Sequence, residues 1–435
     1  MTSTVPQRCR ILRKVTGAGE MTDTAGHEGG LPMAPAADRL VVIDTLRAIA
    51  LFGVIVMNLT AMVMVFKGEA IMAAARPADL AFGLFDLVLL QGKARSAFAF
   101  LFGVGFGILM QRAQARGAGF GALYLRRVLI LLVIGIGNLA FLFWGDILIV
   151  YAILGMVLML FRKVGQRVLL VLGLGLIVLP PVIAGVIEAV TGAPTPSIAG
   201  VSAAVAEARF VEMLPTYAGA DYLAFVLANL RYFVLHPIGD TGPVIVYDLG
   251  VLGLFMLGFW AARRRVFEDI ERHRPLLRRI IWVVLPLGLL LSLVHATRRL
   301  GMPMDGIGYG IVTAAYMGLP ILAFGYLAML TLYISRGGRW LSTAFAPMGR
   351  MALTGYLASN AIGAFVWYGW GLGRIDDPDR LTMAGINLFA IAVFAGLCVF
   401  SALWLSVFRF GPAEWLWRSL TYGRLQPLAK RKPSA

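Results

Sequence analysis

The sequence predicts an all-α fold: a polytopic transmembrane bundle of about ten helices with both termini in the cytoplasm. Three observations predict it. Of the 435 residues, 59% are hydrophobic and only 14% are charged, against about 45–50% and about 25% in soluble domains. The apolar residues gather into runs of membrane-spanning length. The basic residues fall between those runs, mainly in alternate connections. A soluble fold of this size has too few charges to cover so much apolar surface, whereas lipid solvates it directly.

Residues 1–38 are polar, rich in Gly, Pro and Ala, and carry no apolar core run. They read as a disordered cytoplasmic tail, not a signal peptide. Met21 and Met33 are alternative starts. Helices are expected near 41–66, 95–112, 124–142, 146–162, 167–190, 243–262, 279–297, 307–334, 348–370 and 384–408. At 1.5 Å per residue each run is long enough, or nearly so, for a hydrocarbon core about 30 Å thick. The third and fourth helices meet at Phe143-Trp144-Gly145, a tight turn. Residues 67–94 and 191–240 are long outer segments; Ala78 to Leu90 reads as an interfacial helix and 191–240 as a small outer cap. The division is then a tail (1–38), an N-terminal bundle with its cap (39–262), a C-terminal segment (263–424) and a basic tail (425–435).

The net charge is +16. Such an excess often marks a nucleic-acid partner, but here Lys and Arg sit between apolar runs. Arg112 to Arg127, Arg162 to Arg167, Arg263 to Arg279, Arg336 to Arg350 and Arg424 to Lys432 all fall on one side of the membrane if both termini do. The positive-inside rule makes that side cytoplasmic and the partner a bilayer, with no nucleic acid. The expected location is a cytoplasmic (inner) membrane, with multiple passes. Arg298 and Arg299 are the exception. Two cysteines and four histidines, without H-E-x-x-H or a Cys/His cluster, predict no disulfide framework and no metal.

Polar side chains inside a bilayer are costly and seldom idle. The first expected helix carries Asp44, Arg47 and Asn58, and the third carries Arg127 and Asn138. In both, eleven residues separate Arg from Asn, which puts them on one face to within about 20° and roughly 16 Å apart. Asp44 pairs with Arg47, or favours a helix start while Arg47 snorkels. Asn58 reads equally as a functional group or as inter-helical glue. Asp146 is a plain N-cap or a base facing the outer side, with Tyr151 following inside the next helix. Lys93 and Arg95 hold an anion or snorkel at the interface. Gly103, Gly105 and Gly107 read as helix packing. Tyr356, Ser359, Asn360, Gly363 and Trp367 form a stripe expected to face inward. Asp248 is a lone acid, a candidate for a proton or solute pathway. His295 is the one histidine clearly in a span, a general base or a packing hydrogen-bonder; His236 lies in the cap. Gly306-Ile307-Gly308-Tyr309-Gly310 lacks the Thr-Val start and pore-loop setting of a potassium filter.

Several motifs, taken in chain order, carry a resemblance. They are Arg39-x4-Asp44-x-Leu46-Arg47-Ala48-x-Ala50; Asn58; Gly92-Lys93-x-Arg95-Ser96; Leu101-Phe102-Gly103-x-Gly105-Phe106; Tyr124-Leu125-Arg126-Arg127; Trp144-Gly145-Asp146-Ile147-Leu148-x2-Tyr151; Gly349-Arg350-Met351-Ala352-Leu353-Thr354-x-Tyr356-Leu357; and Gly411-Pro412-x-Glu414-Trp415-Leu416-Trp417-Arg418-x-Leu420-Thr421-Tyr422-Gly423. From about Asp38 to Arg424 the chain resembles the YeiB-like bacterial membrane family, whose defining segment is domain of unknown function 418. That family is distantly similar to transmembrane acyltransferases of the acyltransferase-3 and heparan-α-glucosaminide N-acetyltransferase groups.

The resemblance implies acyl transfer from cytoplasmic acyl-CoA to a small-molecule, glycan or lipid acceptor on the far side, with acyl-CoA as co-substrate and no covalently bound cofactor. The basic loops from Arg112 to Arg127 would hold its phosphates. Asp44, Arg47, Lys93, Arg95, Arg126, Arg127, Tyr151, Arg350, Tyr356 and Asn360 are the expected binding residues; Asp146, Asn58, Asn138 and His295 are the expected catalytic set. Two departures stand out. Acyltransferase-3 proteins commonly have His where this chain has Asn58, and many YeiB-like members have His where it has Asn138. Asn carries no titratable base, so that role passes to His295, Asp146 or Asp248. The alternative is a transporter or exporter of a small polar or anionic solute, with Asp248, Asp146 and Arg47 as coupling groups.

Overall fold

In the computed structural model the described residues are 41–117, 119–192, 212–235, 242–300, 302–377 and 381–430. They form sixteen named α-helices: α1 (Val41–Ala73), α2 (Pro77–Phe85), α3 (Lys93–Ala115), α4 (Phe120–Phe141), α5 (Leu148–Leu160), α6 (Gln166–Thr191), α7 (Tyr222–Leu235), α8 (Gly242–Arg263), α9 (Ile270–Arg279), α10 (Leu285–Arg299), α11 (Gly306–Ala314), α12 (Gly318–Ser335), α13 (Arg339–Arg350), α14 (Ala352–Trp367), α15 (Met383–Val407) and α16 (Pro412–Tyr422). No strand ladder occurs among these residues, only an isolated bridge between Phe408 and Ala429.

Among the described residues, seven helical stretches are long and apolar enough to cross a membrane: Val41–Ala73, Pro77–Ala115, Phe120–Phe141, Gln166–Thr191, Ile270–Arg298, Gly306–Ser335 and Met383–Val407. Their burial grades the bundle from centre to rim. The apolar window of α1 is 67% enclosed by protein, that of Ile270–Arg298 only 17%. The remainder of the outer helices is apolar surface such as Val133, Val171 and Trp282, the pattern expected where lipid is the solvent. Around α1 pack α3, α12, α13, α14 and α15. Small residues set the closest approaches. An added Cβ on Gly349 would lie 1.7 Å from the Asp44 carbonyl oxygen, and one on Gly103 would lie 2.1 Å from that of Phe255. Those glycines let α13 meet α1 and α3 meet α8 backbone to backbone.

Every expected run is helical, with corrected ends. The first helix extends to Ala73, because the run after Phe66 stays helix-compatible until Pro77. The segment expected to lie in the interface is helical as α2, with Pro at its first turn, followed by a π-turn over Asp86–Leu90, and it belongs to the stretch Pro77–Ala115 that is long and apolar enough to cross a membrane. The run near 279–297 begins earlier, at α9, and passes through a second π-turn over Ile280–Val284. The run near 307–334 is α11 and α12, joined by a 3-10 turn at Ala315–Met317. The ninth expected helix breaks at Met351, between α13 and α14.

Of the expected outer cap, 193–211 and 236–241, with His236, lie outside the described residues, as does the N-terminal tail. The rest docks tightly. Tyr217, fully buried, packs its ring on Phe66, Phe225 and Tyr368, and its carbonyl accepts from Gly369 N–H at 2.8 Å. Gly306-x-Gly308-x-Gly310 is a packing surface: Gly310 and Gly185 each present the other with its carbonyl oxygen, 2.4 Å from an added Cβ, so α11 lies directly on α6.

Candidate functional site

Three helices and one inter-helix turn bring polar side chains to one buried place. Asn58 of α1 donates from Nδ2 to Asn360 Oδ1 of α14 at 3.0 Å. Asn360 Nδ2 donates to Asn138 Oδ1 of α4 at 3.1 Å. Asn138 Nδ2 donates to Asp146 Oδ1 at 2.8 Å, in the turn before α5. Tyr356, one helical turn before Asn360, adds its hydroxyl to the same carboxylate oxygen at 3.2 Å. The result is a directional chain of three amides ending on a carboxylate. Asn58, Asn138, Asn360 and Tyr356 are all buried, whereas Asp146 keeps part of its surface exposed.

Local sequence explains how Asp146 reaches this position. Phe141 ends α4, and Phe143-Trp144-Gly145 turns the chain. Asp146 Oδ2 then accepts from Ile149 N–H at 2.8 Å, the side-chain bond of a helix cap. Gly135, one turn before Asn138, clears space, since an added Cβ would lie 3.0 Å from Asp146 Oδ2 and 2.9 Å from Ile149 N. The two readings of Asp146 are therefore compatible: Oδ2 caps α5 while Oδ1 gathers Asn138 and Tyr356.

A second polar layer lies one long step along the same helices. Arg47 of α1 pairs with Asp44 at 2.8 Å. Arg127 of α4 lies within electrostatic reach of Arg47 and of Arg418 from α16. Because Arg47 sits by Arg127 and Asn58 joins Asn138 through Asn360, α1 and α4 run in the same direction. The eleven-residue offset places the layers roughly 16 Å apart.

Arg126 and Arg127 are not loop residues. Both stand in the early turns of α4, under the C-terminal helix α16. Arg126 donates to the Thr421 carbonyl at 3.2 Å. The Arg127 guanidinium covers the Trp417 ring at 3.7 Å, and Trp417 Nε1 donates back to the Arg127 carbonyl at 2.8 Å. On α16, Glu414 is buried. Its Oε1 accepts the N–H groups of Leu353 and Thr354 at 2.7 and 3.1 Å, and its Oε2 accepts the Thr354 hydroxyl at 2.5 Å. It caps the N-terminus of α14 from another helix, where the dipole favours a negative charge. Burial pushes its carboxyl above the ordinary carboxylate range, and the three donors pull against that.

Other expected site residues lie elsewhere. Lys93 is 1% exposed and donates to the Leu87 carbonyl at 2.9 Å. It closes the π-turn from inside and does not snorkel, because Gly92, with φ of 77°, turns the chain inward. The Arg95 carbonyl accepts from Tyr151 at 3.1 Å, and its side chain lies within electrostatic reach of Asp248. Among the described residues, Asp248 Oδ1 is buried without a hydrogen-bond partner. Arg350 stands at the end of α13, beside the Gly349–Asp44 contact. His295 is apart from the amide chain: its Nδ1 lies 3.1 Å from the Val312 carbonyl and its ring meets Tyr316 edge-on.

Sequence reasoning missed a buried ion pair next to that histidine. Glu188 of α6 is 0% exposed and accepts from Arg298 at 3.1 Å and from the Thr313 hydroxyl. It also missed Asp79, which accepts from Ala384 N–H at 2.9 Å, and Asp86, which accepts from Asn387 at 3.0 Å. The available signal was the same in each case: a lone acid next to or within an apolar run.

The chain is similar to several known proteins. A family model described as "Protein of unknown function (DUF418)" matches residues 261–424. The "Uncharacterized protein YxaH" of Bacillus subtilis (strain 168) is 32% identical over 418 residues, which is 91% of this chain and 97% of that protein. An "Uncharacterized 39.9 kDa protein in amylase 3'region" of Bacillus acidopullulyticus is 25% identical over 411 residues, 91% of this chain and 97% of that protein. The "Uncharacterized protein YeiB" of Escherichia coli (strain K12) is 27% identical over 401 residues, 88% of this chain and 96% of its own. With helices of membrane-crossing length along both halves and relatives matched nearly end to end, the chain belongs to the YeiB-like DUF418 family of bacterial membrane proteins.

Proposed function

We propose that this chain is a ten-span membrane acyltransferase with both termini in the cytoplasm, which passes an acyl group from cytoplasmic acyl-CoA to an acceptor near the outer side. The observation that carries this reading is the Asn58–Asn360–Asn138–Asp146 chain. Its one carboxylate is its one partly exposed member. An amide accepts no proton near neutral pH, so Asp146 is the base of the set. The layer of Arg47 and Arg127, on the same faces of α1 and α4, supports a donor whose phosphates stay at the cytoplasmic end while its thioester reaches inward.

In the step itself, an acceptor hydroxyl or amine attacks the thioester carbonyl carbon. A new C–O or C–N bond forms, the C–S bond breaks, and the CoA thiolate leaves toward the arginine layer. The acceptor's proton goes to Asp146 and from there to solvent or the thiolate. His295 takes no part in this reading, because it sits against α11.

The test is release of free CoA thiol by the full-length protein in proteoliposomes, with acetyl-CoA outside the cytoplasmic face and a mixture of amino-sugar acceptors on the other. Thiol release above empty liposomes, lost in Asp146→Asn, supports the reading. An undiminished rate in Asp146→Asn overturns it. Proton-dependent solute uptake without thiol release, abolished by Asp248→Asn, would replace it with the transporter.

A further inference from the structure

Among the described residues, Arg127 is a cation without an anion. It lies in the early turns of a membrane-spanning helix, where an unpaired charge is expensive. Yet among the described residues its guanidinium makes no hydrogen bond and no ion pair; its contact is the face of Trp417 at 3.7 Å. Stacking satisfies the face of a guanidinium and leaves the N–H groups around its edge free, the geometry that receives a phosphate in bidentate fashion.

The surroundings raise the demand for negative charge. Arg47 and Arg418 both bear on Arg127 with the same sign. Arg418 stacks 4.8 Å from the Phe410 ring centroid. The nearby acids on these helices are already engaged: Asp44 with Arg47 at 2.8 Å, and Glu414 with the three donors at the start of α14. Neither carboxylate is therefore spare to answer the charge of Arg127. One turn earlier on the same face, Tyr124 is 2% exposed, and among the described residues its hydroxyl has no hydrogen-bond partner. A packed protein rarely leaves a donor of that kind idle beside a cation.

We propose that Arg127, Arg47, Arg418 and the Tyr124 hydroxyl form a binding site for the phosphate of a phosphate ester, walled by Trp417 of the C-terminal helix. The site uses the arginine layer of the proposed function, but not the chemistry at Asp146. Its charge suits a phosphate monoester or a diphosphate. That chemistry is offered by acyl-CoA and equally by an anionic lipid headgroup. Helix α16 supplies both the wall and one of the cations, so the site is assembled only when α16 is docked on α4.

The test uses the full-length protein in phosphatidylcholine nanodiscs, with thermal stability as the readout. One arm titrates CoA; the other replaces part of the lipid with phosphatidic acid. At least one arm is expected to raise Tm saturably in the wild type and in Arg336→Gln, an exposed arginine outside the cluster. Apparent affinity should fall about tenfold or more in Arg127→Gln and in Arg418→Gln, the loss expected for one charge-assisted hydrogen bond. Should those variants fail to fold, displacement of the bound probe by inorganic pyrophosphate in the wild type decides. No saturable gain from either probe, unchanged affinity in both variants, or no displacement overturns the site. Stabilisation by phosphatidic acid but not CoA keeps the site and removes the acyl-CoA donor. CoA binding without thiol release keeps the site and removes the transfer step.

Discussion

Arg298 donates to Glu188 Oε2 at 3.1 Å across 110 positions of sequence, and the carboxylate it meets is fully buried. Arg298 therefore carries its own counter-ion, which accounts for a basic residue at an end of a span expected to be poor in them. The pair ties α6 to α10, and the Thr313 hydroxyl brings in α11.

Removing one partner of a buried pair strands the other charge, at a cost of about 3–5 kcal/mol; removing both is much milder. Glu188→Gln should lower the melting temperature in detergent sharply. The double variant Glu188→Gln/Arg298→Gln should recover most of the loss. Additive losses in this double-mutant cycle would show that the two side chains do not interact.

The amide chain makes a ranked prediction. Asn360 bridges two partners, Asn58 at 3.0 Å and Asn138 at 3.1 Å, whereas Asn58 joins the chain through Asn360 alone. Inter-helical hydrogen bonds in membranes are worth about 0.6 kcal/mol on average and up to about 1.7. Asn360→Ala should therefore destabilise roughly twice as much as Asn58→Ala, and an Asn58→Ala/Asn360→Ala double variant should cost little beyond Asn360→Ala alone. Equal losses from the two single variants, measured by denaturant unfolding in mixed micelles, would contradict the bridging geometry.

Much of this was legible in the sequence, for identifiable reasons. Helix content followed from apolar runs, since backbone groups in lipid have few other ways to be satisfied. The inward face of α14 followed from the spacing of Tyr356, Ser359, Asn360, Gly363 and Trp367, all of them buried. The shared face of Arg47 with Asn58, and of Arg127 with Asn138, followed from helical geometry alone. What spacing could not supply was the partner. Asn360 joins Asn58 and Asn138 because three separate helices meet there, and no local pattern encodes that meeting. The same limit hid Glu188 with Arg298, and Asp86 with Asn387. Lys93 was misplaced because the left-handed turn at Gly92 and the π-turn before it, which aim the side chain inward, leave no periodic trace.

The glycine triplet on α3 tests the packing directly. An added Cβ at Gly103 would lie 2.1 Å from the Phe255 carbonyl oxygen, and the reciprocal Gly258 faces the Phe100 carbonyl at 2.0 Å. At Gly105 there is nothing within 4 Å. Gly103→Ala should force α3 and α8 apart and destabilise by more than about 1 kcal/mol. Gly105→Ala should be neutral or stabilising by up to about 1 kcal/mol, since Ala costs less backbone entropy in a helix interior. Similar effects from both, in thermal melts of the purified protein, would mean that this α3–α8 crossing is wrong.

Glu414 gives the pH dependence. It lies on α16, outside the membrane-crossing stretches, and burial raises its carboxyl above the ordinary range despite the donors at Leu353 and Thr354. A group whose folded-state value is raised binds its proton more tightly in the folded protein than in the unfolded one. Its contribution to stability is then fully present below the unfolded carboxylate range, near about 4.3, and is lost as pH rises through the folded value. Glu414→Gln keeps the volume and one acceptor oxygen but cannot titrate. The wild type should therefore be most stable relative to Glu414→Gln in acid, and the difference should shrink as pH rises from about 4 toward neutrality. Melting temperatures of both proteins across that range check the sign. A wild-type advantage that grows with pH would mean that the three donors and the α14 dipole outweigh desolvation, and that Glu414 caps α14 as a carboxylate whose proton affinity is lowered.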